Sequence, residues 1–218
     1  MTWKSTDYEE GGGVPAVVQV QAPAALFTQP GLSAERMTYL VMTPSAAVGV
    51  LSSIFWKPEI RYRVERIEVL RPIRTFTLRR NETTDLVSLA DAVGGVRTVD
   101  TVSNRVQRNA LCLKDVAYRI YAHIDVLPHA TKPAAAYLSQ FERRVERGQC
   151  FNQPYLGTRE FPASFGPADD APLSPVSADL GMMLHSIDYT TNPRRSRWFH
   201  AELKNGVLRV GEPELVEA

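Results

Sequence analysis

Hydrophobic positions along this 218-residue chain change their period several times, and each change marks an element. Ala16-Val17-Val18-Gln19-Val20-Gln21 is a short β-rich run, and Pro23, Pro30 and Gly31 punctuate the stretch after it. Thr43-Pro44 opens a helix. Threonine is a good N-cap, and proline fits the first turn because its missing N–H has no intrahelical partner there. Ala47, Val50, Leu51, Ile54 and Phe55 recur at helical spacing, which predicts one buried face, and Pro58 stops the element. From Arg61 to Leu70, Tyr62 and Val64 and then Ile67 and Val69 alternate, with a shift near Glu65-Arg66. That pattern is a strand with one charged face and a bulge. Ile73 to Leu78 alternates again. From Asn81 to Arg108 the pattern dissolves into Thr, Asp, Gly, Ser and Asn. The stretch is too long for an ordinary connection and reads as a flap, an extended hairpin or a disordered loop.

Leu111 to Val126 is the longest β-like tract, with Val116, Tyr118, Ile120, Ala122, Ile124 and Val126 on one face. Pro133 begins a second helix that closes at Gly148, a natural residue for the position after a helix end. Tyr137, Leu138, Phe141 and Val145 mark its buried stripe, with Glu142, Arg143, Arg144, Glu146 and Arg147 outside. A Pro/Gly-rich stretch runs to Pro175, and Met182 to Tyr189 is a strand. Trp198 to Leu203, the turn Asn205-Gly206, and Val207, Leu208 and Val210 form a hairpin, Asn-Gly being the strongest short hairpin signal. The order of elements matches the split βαβ, ferredoxin-like plan: an α+β fold with an antiparallel sheet and helices on one face. The expected organisation is a loose tail over 1–15, a ferredoxin-like domain over 16–150 with the flap at about 81–108, and a β-rich region over 151–218. The plan licenses no function by itself.

Composition narrows the class. Hydrophobic residues make up 44% and charged residues 22%, near the globular average, which excludes a disordered or fibrous chain. No apolar run reaches membrane-spanning length and the N-terminus lacks a signal-peptide pattern, so no membrane association is expected. Cys112 and Cys150 stand apart and read as reduced thiols of a cytoplasmic protein. Net charge is +1, which argues against a histone-like binder, but it is unevenly spread. Lys57 to Arg80 holds eight basic side chains against three acidic ones, and Arg194-Arg195-Ser196-Arg197 is a second basic cluster. Basic tracts on a neutral average suit either a polyanion-binding face or ordinary solvated strands.

Several familiar chemistries are absent: no phosphate-cradling or dinucleotide glycine motif, no Gly-x-Ser-x-Gly, no His-Glu-x-x-His. The four histidines, His123, His129, His185 and His200, lack metal-ligand spacing, so neither a metal nor another cofactor is expected.

A set of short words in fixed order is more informative. Ala25-Leu26-Phe27-Thr28-Gln29-Pro30 is followed by Glu35-Arg36-Met37-Thr38-Tyr39 and Val41-Met42-Thr43-Pro44-Ser45-Ala46-Ala47. Then come Ile54-Phe55-Trp56-Lys57-Pro58, Arg79-Arg80-Asn81-Glu82, Gln107-Arg108-Asn109-Ala110, Gly148-Gln149-Cys150-Phe151 and Tyr155-Leu156-Gly157-Thr158-Arg159-Glu160-Phe161. Over roughly residues 16–210 the chain resembles the type I-C CRISPR-associated Cas-five subunit, also called the Cas-five-d or Dvulg subtype. The resemblance implies a repeat-associated (RAMP) protein with an RNA-recognition-type ferredoxin-like domain and a smaller C-terminal β-sheet. It implies a subunit of the type I-C Cascade complex that holds the repeat-derived 5′ handle of the CRISPR RNA. Its neighbours would be the Cas-seven backbone and the Cas-eight large subunit. It also implies metal-independent cutting of precursor RNA, in which a 2′-hydroxyl attacks the adjacent phosphate. That step needs a proton acceptor, a proton donor and a cation at the phosphorane.

The resemblance breaks at the catalytic positions. Where the family typically has Tyr, this chain has Phe55, and where it has a Lys-His pair, alignment on Phe141 and Gly148 gives Ala136-Tyr137. Phenylalanine has no proton to move and alanine removes the cation. Tyr137 is a weak acid or hydrogen-bond donor, or simply a core residue of the Phe141 stripe. Lys132 and His123 are the candidate substitutes for the missing cation and base. The departures keep open an alternative: a non-catalytic RNA-binding assembly subunit. For RNA contact the candidates are Arg36, Arg79, Arg80, Asn81 and Lys114, with Glu82 orienting one of the two adjacent arginines. Trp56, placed after an apolar helix face, reads as core ahead of a base-stacking role, and Arg159-Glu160 as a structural ion pair.

Overall fold

The computed structural model describes residues 15–32, 35–84, 87–95, 100, 102–188, 192 and 195–215. Its elements in chain order are β1 (Ala16–Ala25), β2 (Arg36–Met37), α1 (Pro44–Ile54), β3 (Ile60–Val69), β4 (Thr75–Thr83) and α2 (Leu89–Gly94). They continue with β5 (Arg105–Val126), α3 (Ala134–Glu146), β6 (Ser164–Gly166), β7 (Ala178–Asp188), β8 (Arg195–Lys204), β9 (Val207–Arg209) and β10 (Glu214–Leu215).

Four strands lie side by side in the order β6-β1-β5-β3, and each neighbouring pair is antiparallel. With α1 between β1 and β3 and α3 between β5 and β6, this is the ferredoxin-like arrangement that the element order predicts. Both helices cover one face: α1 packs on β3, and α3 packs on β1 and β5. The core lies between them, with Val18, Val20, Ile67, Ile120, Ala122, Leu51, Ile54 and Phe141 all essentially inaccessible. The sheet continues past β3 through β9 to β8, which pairs with β7 and β10, and β7 returns against α1.

Local chemistry explains the boundaries. Thr43 caps α1 by accepting a hydrogen bond from Ala46 N–H at 3.3 Å. The bulge in β3 falls between Val64 and Arg66, as the broken alternation predicts. Asn205 (φ 47°) and Gly206 (φ 79°) both adopt left-handed backbone, the requirement of the tight hairpin turn. The second helix starts one residue later than expected, with Pro133 as its extended N-cap, and Gly148 (φ 61°) follows its end. The strand expected from Met182 begins at Ala178, and Tyr189 lies outside the described residues, as do the N-terminal tail and Arg194.

The long tract from residue 81 to 108 is an extended hairpin. β4 pairs with β5 from Thr75↔Leu113 out to Thr83↔Arg105, and α2 sits near its tip, burying none of its side chains. β5 therefore has two halves: one inside the central sheet, and one that leaves it with β4 as an arm. They meet at Asp115, whose φ of 52° is left-handed, level with Pro23, which offers β5 no N–H. A left-handed backbone is strained for aspartate. Here its carboxylate is pinned by the guanidinium of Arg71 and by that of Arg74 at 2.9 Å.

Candidate nucleic-acid interface

Strand alternation decides what the arm can present. Arg79 and Asn81 lie on one face with their cross-strand partners Asn109 and Gln107, and Arg79 Nε donates to Asn109 Oδ1 at 3.4 Å. Arg80 and Glu82 point the other way. There, Phe76, Leu78, Ala110 and Cys112 form a small apolar cluster with Leu26 and Phe161. Beyond it, Glu82 pairs with Arg36 at 3.2 Å, Arg80 at 3.5 Å and Arg108 at 3.7 Å. Arg80 also binds Glu160, so Glu160 serves the arm and not its neighbour Arg159. The adjacent arginines thus cannot grip one phosphate together: Arg79 faces solvent, whereas Arg36 and Arg80 are held by carboxylates. Lys114 is exposed at the base of the arm, its N–H bonded to Arg74 O at 2.8 Å.

The basic tract is also less bare than its sequence. Arg63 makes a two-pronged contact to Asp125 at 3.0 and 3.2 Å. Arg66 covers the Tyr121 ring at 3.5 Å while binding Glu65 at 2.9 Å and Glu68 at 3.3 Å. All lie on the sheet face opposite the helices, where Arg119 binds Glu68 at 2.7 Å and His123 Nε2 lies 3.1 Å from Glu65. Burial works to raise the Glu65 carboxyl, but hydrogen bonds from Arg66 and His123 outweigh it and leave the pKa lowered. Arg197, from the second basic cluster, lines a cleft of about 850 Å³ between α1 and β7 together with Arg61 and Arg63.

Phe55, Ala136 and Tyr137, the positions the resemblance assigns to catalysis, lie just after α1 and in the first turn of α3. Phe55 is buried and its carbonyl accepts the Tyr62 hydroxyl at 2.7 Å. Burial pushes the Tyr62 phenol well above its ordinary pKa, with Arg144 working in the opposite direction. Tyr137 is buried, as a member of the core stripe, yet its hydroxyl reaches out to Glu59 Oε2 at 2.8 Å. Burial first, then the hydrogen bond and charge of Glu59, hold the Tyr137 phenol above its usual value, against a hydrogen bond from the Lys132 backbone. Ala136 is half-buried, and Lys132 is exposed just before α3. His123 is not part of this group. It projects from the opposite sheet face, alternating with Ala122 and Ile124, which face the helices.

Three residues here escape the sequence pattern. Glu59 looks like a charge in a turn, Tyr62 like one more strand residue, and Arg144 like the polar face of a helix. Arg144 instead leans over the Phe55 ring at 5.4 Å and donates to Ile54 O at 2.8 Å. Leu138, placed in the buried stripe, is only half-buried. Trp56 is corrected too. It is 52% exposed, because the chain turns outward as α1 ends with Phe55 in extended backbone.

A ferredoxin-like sheet extended by a second set of strands, with a long hairpin arm and an exposed cationic surface, defines a RAMP-like α+β class. Comparison with known proteins makes it specific: the family model described as CRISPR-associated protein (Cas_Cas5), subtype Cas5d, matches residues 17–211, and the chain belongs to this family. A protein of Thermus thermophilus named CRISPR pre-crRNA endoribonuclease Cas5d is 42% identical over 88% of this chain and 90% of its own length. One of the same name from Mannheimia succiniciproducens is 42% identical over 85% of this chain and 90% of its own. Among solved structures, a CRISPR-associated protein matches with a TM-score of 0.66 at 24% identity, covering 92% of this chain and 95% of that one. A functionally uncharacterized protein of Streptococcus mutans matches at 0.64 and 20% identity, over 91% and 92% of the two chains. These two likenesses bear on the fold.

Proposed function

We propose that this protein holds the repeat-derived 5′ handle of CRISPR RNA as a subunit of a type I-C Cascade complex, beside the Cas-seven backbone and Cas-eight large subunit. We propose further that it cuts the precursor RNA itself, in the cytoplasm and without a metal. The observation that carries the reading is 42% identity, over nearly the full length of both chains, to two proteins named pre-crRNA endoribonucleases. The alternative of a non-catalytic assembly subunit rests on the substituted positions Phe55, Ala136 and Tyr137 alone.

The chemistry belongs at the end of α1 and the start of α3. Phe55 and Ala136 move no proton, and His123 is on the wrong face. Glu59 and Lys132 remain. The Glu59 carboxylate accepts the proton of the attacking 2′-hydroxyl. The new O–P bond forms as the P–O5′ bond breaks. The Lys132 ammonium sits against the phosphorane and gives the departing O5′ its proton. The products are a 2′,3′-cyclic phosphate and a 5′-hydroxyl. Tyr137 is buried and stays protonated, so it serves as a positioning residue that orients Glu59. Arg79, Asn81 and Lys114 supply RNA contacts along the arm, and Arg36 and Arg80 act through Glu82. The organisation into a tail before residue 16, a ferredoxin-like unit to residue 150 and a β-rich remainder belongs to the same proposal.

The test is incubation with the cognate repeat RNA in EDTA. One site-specific cut leaving a cyclic phosphate is the expected result. Glu59→Gln and Lys132→Ala are each expected to slow it by about 10²–10⁴-fold, the range for a lost general acid or base. Tyr137→Phe is expected to lower kcat less and to leave KM unchanged, since it removes only the hydrogen bond that orients the Glu59 carboxylate. No cutting by the wild type, or full-rate cutting by both Glu59→Gln and Lys132→Ala, would refute the assignment.

A further inference from the structure

We infer that Trp56, at the same helix end as the exposed Phe151, forms a stacking platform that seats one unpaired base of the repeat RNA next to the scissile phosphate. The inference rests on the ribonuclease reading above and adds to it the means by which the substrate is aligned.

The end of α1 is clamped. Ser53 O accepts the N–H groups of Phe151 at 2.8 Å and Asn152 at 3.0 Å. Ile54 O accepts Arg144 at 2.8 Å, and Phe55 O accepts the Tyr62 hydroxyl at 2.7 Å. Three consecutive carbonyls that a helix end leaves without intrahelical donors are therefore all satisfied. The backbone carrying Trp56 is fixed, so the exposure of its ring is not the looseness of a frayed end. The same clamp brings in the loop after α3, where Phe151 is 71% exposed. Two large aromatic side chains are thus presented to solvent at one helix end. An exposed indole forfeits the stabilisation that burial gives an aromatic of this size. The pattern fits a surface that is covered when a ligand binds.

The neighbourhood identifies the ligand. Trp56 directly precedes the turn Lys57-Pro58-Glu59-Ile60, three residues before the proton acceptor Glu59. That turn is closed by the hydrogen bond from Ile60 N–H to Lys57 O at 3.3 Å. Lys57, next to Trp56, and Arg147, four residues before Phe151, are both exposed, and the Lys132 backbone hydrogen-bonds Tyr137, whose hydroxyl reaches Glu59. An aromatic plate flanked by cations is the arrangement that takes single-stranded nucleic acid, the bases stacking and the phosphates meeting the cations. Because every base has a π-face, Trp56 sets where the strand lies without reading its sequence.

The experiment uses the full chain and two forms of the cognate repeat: the natural RNA, and an uncleavable version with a 2′-deoxy residue at the cut. Each is also made with single abasic sites at the positions flanking the cut. Trp56→Ala is expected to weaken binding of the uncleavable RNA by about 5- to 100-fold, the range for losing one stacked base. It is expected to raise KM more than it lowers kcat, with Trp56→Phe restoring most of the loss. One abasic position is expected to reproduce the effect in the wild type and to make Trp56→Ala nearly silent, the signature of two groups in contact. A thermal melt shows that each variant is folded. Equal affinity of wild type and Trp56→Ala, or a loss that adds to every abasic site alike, would overturn the platform. Because binding is read on the uncleavable RNA, a wild type that binds without cutting overturns the nuclease reading and still tests the stack. A wild type that neither binds nor cuts overturns both.

Discussion

Glu65 meets Arg66 from its own strand and His123 from β5, so three polar side chains from two strands share one small site on the open face of the sheet. Its folded-state pKa lies below the ordinary value of 4.5. A carboxyl depressed in the folded state contributes stability above its unfolded pKa and loses that contribution as pH falls through the folded value. The gain of wild type over Glu65→Gln is therefore expected to shrink below about pH 4.5, the side chain's ordinary pKa. Urea midpoints of the two proteins from pH 7 to 3 check this. A gap that widened below about pH 4.5 would contradict the pairing. The site is partly open to solvent, so the effect stays modest.

At the scale of elements, turns and caps carry consequences that side-chain burial does not. The hairpin between β8 and β9 needs left-handed backbone at both central residues, and Gly206 also passes close to another segment. A Cβ at position 206 would lie 2.3 Å from the carbonyl oxygen of Ser174. Gly206→Ala therefore combines backbone strain, of order 1–3 kcal/mol, with a collision against backbone. A drop of at least about 2 kcal/mol in unfolding free energy, with the denaturant slope unchanged, is the expected outcome. The hairpin arm makes a complementary case. Its two faces differ in kind, one a row of polar groups around Arg79 and Asn81, the other sealed by apolar contacts and by the Arg36–Glu82–Arg80–Glu160 network. Nothing in the dipeptide Arg79-Arg80 says which arginine is on which side until the register with β5 is set.

For the molecule as a whole, charge pairing across distant strands reduces a basic tract of eight side chains to a few free cations. Arg63, Arg66, Arg71, Arg74 and Arg80 all contact carboxylates. An arginine already bound to a carboxylate releases little when it meets a phosphate, whereas a free one displaces a counterion. Repeat-RNA affinity measured from 50 to 300 mM salt is therefore expected to separate the two neighbours. Arg79→Ala lowers the slope of log affinity against log salt by about one and weakens binding at every concentration. Arg80→Ala leaves the slope close to wild type and lowers the melting temperature instead, through the loss of its contacts to Glu82 and Glu160. The opposite assignment of slope and melting temperature would place the RNA on the other face of the arm. No helix among the described residues is long and apolar enough to cross a membrane.

What the chain's own pattern determined was mostly local. The cap at Thr43, the bulge near Glu65-Arg66, the stop after α3 at Gly148 and the Asn205-Gly206 turn each derive from one residue's conformational preference, so they are legible without the fold. The ferredoxin-like order was legible too, because period-2 and helical runs alternate in the sequence that such a plan requires. The short strands β2, β6 and β10 were not, since two or three residues carry no period. The arm was legible only as one of three readings, because its residues face solvent on one side and show no hydrophobic alternation beyond Leu78. The candidate site depended most on tertiary structure. Tyr137 could be placed in the core stripe from its spacing with Phe141, but its hydroxyl partner Glu59 is 78 residues away. Trp56 was misplaced because helical periodicity continues naturally through Phe55, while the chain leaves the helix there and turns the next ring outward. Strand alternation put His123 on the far face of the sheet, a fact fixed by which side the helices cover. Hydrophobic period reports which positions are buried along an element; only the packed fold decides which polar groups from distant elements end up sharing one site.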